Sequence, residues 1–157
     1  MKKLMTLLLA SLATLSLAAC SEEIAEVTFE PVEVLTDMEA SVPTEELVEL
    51  MDLDETMVQE LYGISPDLLV SFVARMPMMN VQCEEYFIAE VTEGNMEEVK
   101  ELLLARQATL VEQWGMYLPD QLEMVEDYQL VENGDYIAFA IGYNADAVIE
   151  AFNAKFE

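Results

Sequence analysis

The chain predicts an α+β fold: one antiparallel sheet of about four strands, built from a strand-strand-helix order that occurs twice, with helices packed on one face. Three observations carry this. Two strand-like segments, 69–76 and 84–91, precede the longest helical stripe, which starts near Asn95; a second strand-like pair, 125–131 and 135–143, precedes another helical stripe; and Asn133-Gly134 supplies a tight hairpin turn between that second pair. A length of 157 residues suits one domain, and a 54% hydrophobic content is enough for a core.

In chain order, Met1-Lys2-Lys3 gives a basic start, residues 4–19 are apolar apart from Thr and Ser, and the run ends in small residues. That is the layout of a secretory signal, and the run is short for a membrane span, which needs about 20 apolar residues. Leu17-Ala18-Ala19-Cys20 resembles the lipobox of bacterial lipoproteins. The resemblance implies that the Cys20 thiol takes a diacylglyceryl group, that cleavage falls just before it, and that two acyl chains then hold the protein to the membrane. Residues 20–43 carry seven acids, no Lys or Arg, and Pro31 and Pro43, so they read as an acidic tether; alternation at Val27-Thr28-Phe29 and Val32-Glu33-Val34 leaves an edge strand as the other reading.

The folded unit, 44–157, begins with Thr44 as an N-cap candidate before Glu45 and Glu46, with Leu47, Leu50 and Met51 on one helical face. Met57, Val58, Leu61 and Tyr62 share the face of a second helix, and Gly63 stands just past its end. Val70, Phe72, Ala74 and Met76 alternate as one side of a strand that Pro77 ends. Asn95 and Glu98 resemble a capping box for the long helix, whose stripe is Val99, Leu102, Leu103, Arg106, Leu110, Gln113, Trp114 and Tyr117, with Pro119 as the latest end. Asn144 is a cap candidate for a last helix that turns Val148, Ile149, Phe152 and Phe156 inward.

Without residues 1–19, four basic residues face 32 acidic ones, a formal charge of −28. Such a field repels nucleic acid and anionic polymers and favours a neutral or cationic ligand, or an unknown protein partner; it also serves solubility alone. With Cys20 lipidated, Cys83 has no thiol partner, and it reads as a small buried hydrophobe rather than a reactive group. The absence of histidine excludes Ser-His-Asp and Cys-His nucleophile systems and imidazole metal sites. Asp52-Leu53-Asp54-Glu55-Thr56 starts like a calcium loop, but Met57 replaces the required glycine and Gly63 the required glutamate. No phosphate-cradling glycine motif occurs, so no cofactor or metal is indicated.

Arg106 is the candidate binding residue, because it sits inside the apolar stripe of the long helix. It either lays its stem over the core and pairs with a carboxylate, or anchors a ligand group. Met76, Met78 and Met79, and the aromatic residues Tyr62, Trp114 and Tyr117, fit either core packing or a binding groove.

Leu61-Tyr62-Gly63-Ile64, residues 106–114 followed by Tyr117-Leu118-Pro119-Asp120-Gln121, and Asn133-Gly134-Asp135-Tyr136-Ile137-Ala138-Phe139 resemble a family of small lipoproteins from Gram-positive anaerobes, catalogued as a domain of unknown function. The resemblance runs from about Leu47 to Phe156 and implies one extracytoplasmic α+β domain on a lipid anchor; it carries no site residues. The resulting expectation is a non-catalytic, lipid-anchored binding or interaction module on the outer face of the cell membrane. A small cell-envelope hydrolase using paired carboxylates is the alternative.

Overall fold

The computed structural model describes residues 27–79 and 81–157. The expected signal peptide, residues 1–19, and the expected lipidation site Cys20 lie outside the described residues. The elements run α1 (Val32–Ser41), β1 (Leu50–Asp52), α2 (Glu55–Tyr62), β2 (Leu69–Pro77), β3 (Glu85–Val91), α3 (Met96–Trp114), α4 (Pro119–Glu126), β4 (Gln129–Asn133), β5 (Tyr136–Ile141) and α5 (Ala145–Asn153). The strands form one five-stranded sheet, ordered β1-β2-β3-β5-β4, in which every neighbouring pair is antiparallel. No helix among the described residues is long and apolar enough to cross a membrane.

The α+β class holds, but the helices cover both faces of the sheet rather than one. Ala74, Phe87, Ala89, Ile137, Phe139 and Ile141 pack with Val58, Leu103, Leu110 and Val125 of α2, α3 and α4. Val73, Tyr86, Ile88, Tyr136, Ala138 and Ala140 face the other way, onto Val34, Leu35 and Met38 of α1 and Val148, Ile149 and Phe152 of α5. Successive strand side chains alternate in direction, so β3 and β5 supply apolar residues to both layers and are almost wholly buried.

Residues 32–41, expected within the tether, are therefore part of the body. Val34, Leu35 and Met38 lie on one helical face and are buried, while the acids of α1 face outward. Phe29 stacks on Tyr136 with ring centroids 4.2 Å apart, and Tyr136 Oη donates to the Phe29 carbonyl at 3.2 Å. Lys155 Nζ ties the end of the chain to Glu33 at 3.2 Å and Asp37 at 2.7 Å, two carboxylates one helical turn apart.

Other expectations change locally. Thr44–Glu46 is a single 3₁₀ turn without a side-chain cap, and Leu50–Met51 belong to β1 rather than to a helix. The effective cap is Asp54, whose Oδ1 accepts from the Met57 N–H at 2.9 Å to start α2. A register irregularity between Leu69 and Ser71 shifts the alternation of β2, which leaves Val70 exposed instead of inward. The long helix ends at Trp114, within the limit set by Pro119 but short of Tyr117, and Pro119 opens α4, its missing N–H costing nothing in a first turn. Val125, expected in a strand, is a buried residue of α4, so β4 starts only at Gln129. Asn95 and Asn144 cap nothing with their side chains: Asn95 Nδ2 donates to Thr92 Oγ1 at 2.7 Å, and Asn144 Nδ2 to the Glu46 carbonyl at 3.1 Å. The hairpin is confirmed, with Asn133 paired to Tyr136 across a two-residue turn in which Gly134 takes φ +59.

Leu35 separates a tether from a packed helix. Leu35→Ala is expected to destabilise the chain by about 2–5 kcal/mol, measured by urea unfolding with Trp114 fluorescence; an unchanged midpoint would mean that α1 is not integral.

Candidate functional site

The ends of β2, β3 and β5 meet at one pole of the sheet, where Pro77, Glu85 and Ile141 are the terminal strand residues. A cavity of about 340 Å³ opens there, walled by Met76, Met79, Glu85, Arg106, Leu110 and Trp114. The helical spacing of α3 builds one wall: Val99, Leu103, Arg106, Leu110 and Trp114 recur every three or four residues on the buried face. Strand alternation builds the other, because Glu85 points to the same side as Phe87 and Ala89, toward α3.

Arg106 and Glu85 form a bidentate pair inside this wall. Arg106 Nε donates to Glu85 Oε1 at 2.8 Å and Nη2 to Oε2 at 2.9 Å, with only 7% and 3% of the two side chains exposed. Burial works against the guanidinium charge, but the Glu85 hydrogen bonds and charge outweigh it and raise the Arg106 pKa. The guanidinium also lies 5.5 Å from the centroid of the Tyr62 ring. Burial first, then the charge of Glu85, pushes the Tyr62 phenol well above its ordinary value, and its Oη has no hydrogen-bond partner among the described residues.

Glu84 has the opposite fate. It is fully buried, and neither carboxylate oxygen is in hydrogen-bond geometry with a described residue. Burial raises its pKa; the backbone N–H groups of Glu84 and Tyr143 lie close enough to offset part of that without making a hydrogen bond. Gly142 permits the packing: a Cβ there would stand 2.5 Å from Glu84 Cγ, and its φ of +116 favours glycine. Cys83 is buried beside it, and burial followed by the charge of Glu84 pushes its thiol up to about 12. Such a thiol is inert as a nucleophile, which agrees with a packing role. The Cys83 backbone N–H donates to Gln121 Oε1 at 2.8 Å, so α4 helps to fix the strand entry.

The sequence candidates separate here. Arg106 is at the cavity, paired as its place in the stripe suggested. Trp114 lines the same cavity, and its Nε1 has no partner among the described residues. Tyr62 is buried behind Arg106 and Tyr117 is exposed, so the three aromatic residues do not form one groove. Met76 and Met79 line the cavity, Met79 from an exposed position on its rim, whereas Met78 is exposed and lies outside it. Asp52 pairs with Arg75 and Asp54 caps α2, which spends both aspartates of the abortive calcium loop. Sequence reasoning missed Glu84, Glu85 and Gly142. Two consecutive acids opening an apolar strand were the available signal, since an alternating strand buried on both sides must bury both of them.

The family model described as Domain of unknown function (DUF4358) matches residues 44–142, more than half of the chain. The chain belongs to the DUF4358 family. Comparison with curated proteins and with solved structures finds no match. The DUF4358 match contains all five strands, α2 to α4 and every cavity residue named above, while α1 and α5 lie outside it.

The buried pair and the lone carboxylate give separate tests. Arg106→Met strands Glu85 and is expected to cost about 3–5 kcal/mol, whereas Arg106→Met combined with Glu85→Leu recovers most of the loss in chemical unfolding. Glu84 holds its proton more tightly in the folded than in the unfolded chain, so its contribution to stability falls as pH rises above the ordinary value of 4.5. Glu84→Gln is therefore expected to unfold at higher urea than the natural chain at neutral pH and to lose that advantage below 4.5; equal pH profiles would contradict the raised pKa.

Proposed function

We propose that this DUF4358 protein is a lipid-anchored, extracytoplasmic binding module without a catalytic step, which captures a neutral or cationic ligand, or a segment of a partner protein, at the cavity pole of its sheet. The observation that carries the reading is the cavity itself: a half-open hollow in which Met76, Met79, Leu110 and Trp114 form an apolar wall beside Gln82, Gln113 and the Arg106–Glu85 pair, a mix of apolar surface and placed polar groups that ligand sites share. Arg106 is already neutralised by Glu85, so an anion gains little there. The formal charge of −28 left after residues 1–19 adds a general preference for cations and against nucleic acid. Leu17-Ala18-Ala19-Cys20 supports the anchor at Cys20.

A carboxylate hydrolase is the weaker reading. Of the two acids that line the cavity, Glu85, the first residue of β3, is held by Arg106, and Glu84, the residue before it, is fully buried against Gly142. Paired catalytic carboxylates must instead face one scissile bond.

Two measurements test the proposal. Intact-mass analysis of the native membrane fraction is expected to find a chain starting at a diacylglyceryl-modified Cys20; a chain that keeps residues 1–19, or carries no lipid, overturns the anchor. Crosslinking in native envelopes is expected to yield an adduct that the cavity-filling Leu110→Trp variant loses. An adduct pattern unchanged by that variant removes the cavity as the binding site.

A further inference from the structure

A second hollow adjoins the first across the β2–β3 connection. It is a groove of about 490 Å³ between residues 45–49 and the end of β2, with Leu47, Val48, Met78 and Met79 in its walls and Tyr143 at its side. Met78, Met79 and Tyr143 are 74%, 67% and 68% exposed. Single exposed apolar residues are ordinary, but three large ones around one groove form a patch that suits a partner. Methionine side chains adapt their shape to the segment they receive.

The rim of the groove is acidic. Glu45, Glu46 and Glu49 are exposed, and none has an ion-pair partner among the described residues. The cations that could have answered them are engaged elsewhere: Arg75 with Glu39 and Asp52, Lys100 with Glu97 and Glu132, Arg106 with Glu85, and Lys155 with Glu33 and Asp37. Three like charges within five residues thus flank an apolar groove with no internal counter-charge.

We propose that this groove docks a basic segment of a partner protein, one that carries Lys or Arg beside large aliphatic side chains. The aliphatic groups lie against Met78, Met79 and Tyr143, while the cations answer Glu45, Glu46 and Glu49. The negative field of the body draws the segment in, and contact with the apolar wall holds it. The proposal extends the binding-module reading to a named surface, but it needs neither the cavity ligand nor the lipid anchor.

The test is fluorescence anisotropy of a dye-labelled Lys-Leu repeat hexapeptide with the mature chain in detergent micelles, so failure here leaves the anchor and the cavity to their own experiments. Saturable binding is expected. The triple variant Glu45→Gln, Glu46→Gln, Glu49→Gln should weaken it roughly tenfold, and the charge-matched control Glu101→Gln, Glu112→Gln, Glu123→Gln by less than about twofold. Met78→Ser with Met79→Ser should also weaken it, and a Lys-Ser hexapeptide should fail to saturate. Equal losses in the two charge-matched triples, or tight binding of the Lys-Ser peptide, would reduce the effect to the overall field and overturn the groove. Absence of saturable Lys-Leu binding overturns it as well. These residues are all exposed, so the variants are expected to fold.

Discussion

The centre of the sheet is closed to water on both sides, and the rest of the molecule follows from that constraint. All six residues of β5 are buried, as are six of the seven in β3. A strand in that position has no solvent face on which to place polar side chains, so both helical layers must be apolar where they meet it. Polar residues can enter only at the strand ends. Glu84 and Glu85 do so at the start of β3, and each meets its environment differently: Glu85 is matched by Arg106 from α3, and Glu84 is left with Gly142 against its stem. The cavity lies where the apolar layers stop closing over the strands.

Much of this was legible from periodicity. The segments 69–76, 84–91 and 135–143 alternate or run apolar as strands do, and the α3 stripe fixed which of its faces turns inward. What was lost were features that depend on two-sided cover. Tyr136-Ile137-Ala138-Phe139-Ala140-Ile141 does not alternate between apolar and polar, which is itself the mark of a strand buried on both faces. The second layer needed α1, and there the acids between Val34, Leu35 and Met38 made the segment look like a solvated leash. A three-residue β1 is too short to show a period. Of the site, Arg106 was visible because a cation in an apolar stripe is out of place. Its partner was not, since Glu85 is 21 residues away and only the packing of α3 over β3 brings them together.

Scarce positive charge is used economically. Each described cation bridges elements that are distant in sequence: Arg75 of β2 reaches α1 and β1, Lys100 joins α3 to β4, Arg106 joins α3 to β3, and Lys155 joins the last described turn to α1. The exposed bridges are individually weak, and only the Arg106 pair is buried enough to make its loss severe. With every described cation used inside the fold, the remaining described carboxylates define what the surface offers to others.

The packing of α1 also sets a geometry for any attachment at Cys20. Six residues separate Cys20 from Val27, and covalent geometry caps the distance between the two at about 25 Å. The described chain enters beside Tyr136, the first residue of β5, whereas the cavity opens beyond Ile141 at the other end of the same strand. A protein moored in this way would float close to the bilayer with its mouth turned outward, like a cup held by its base.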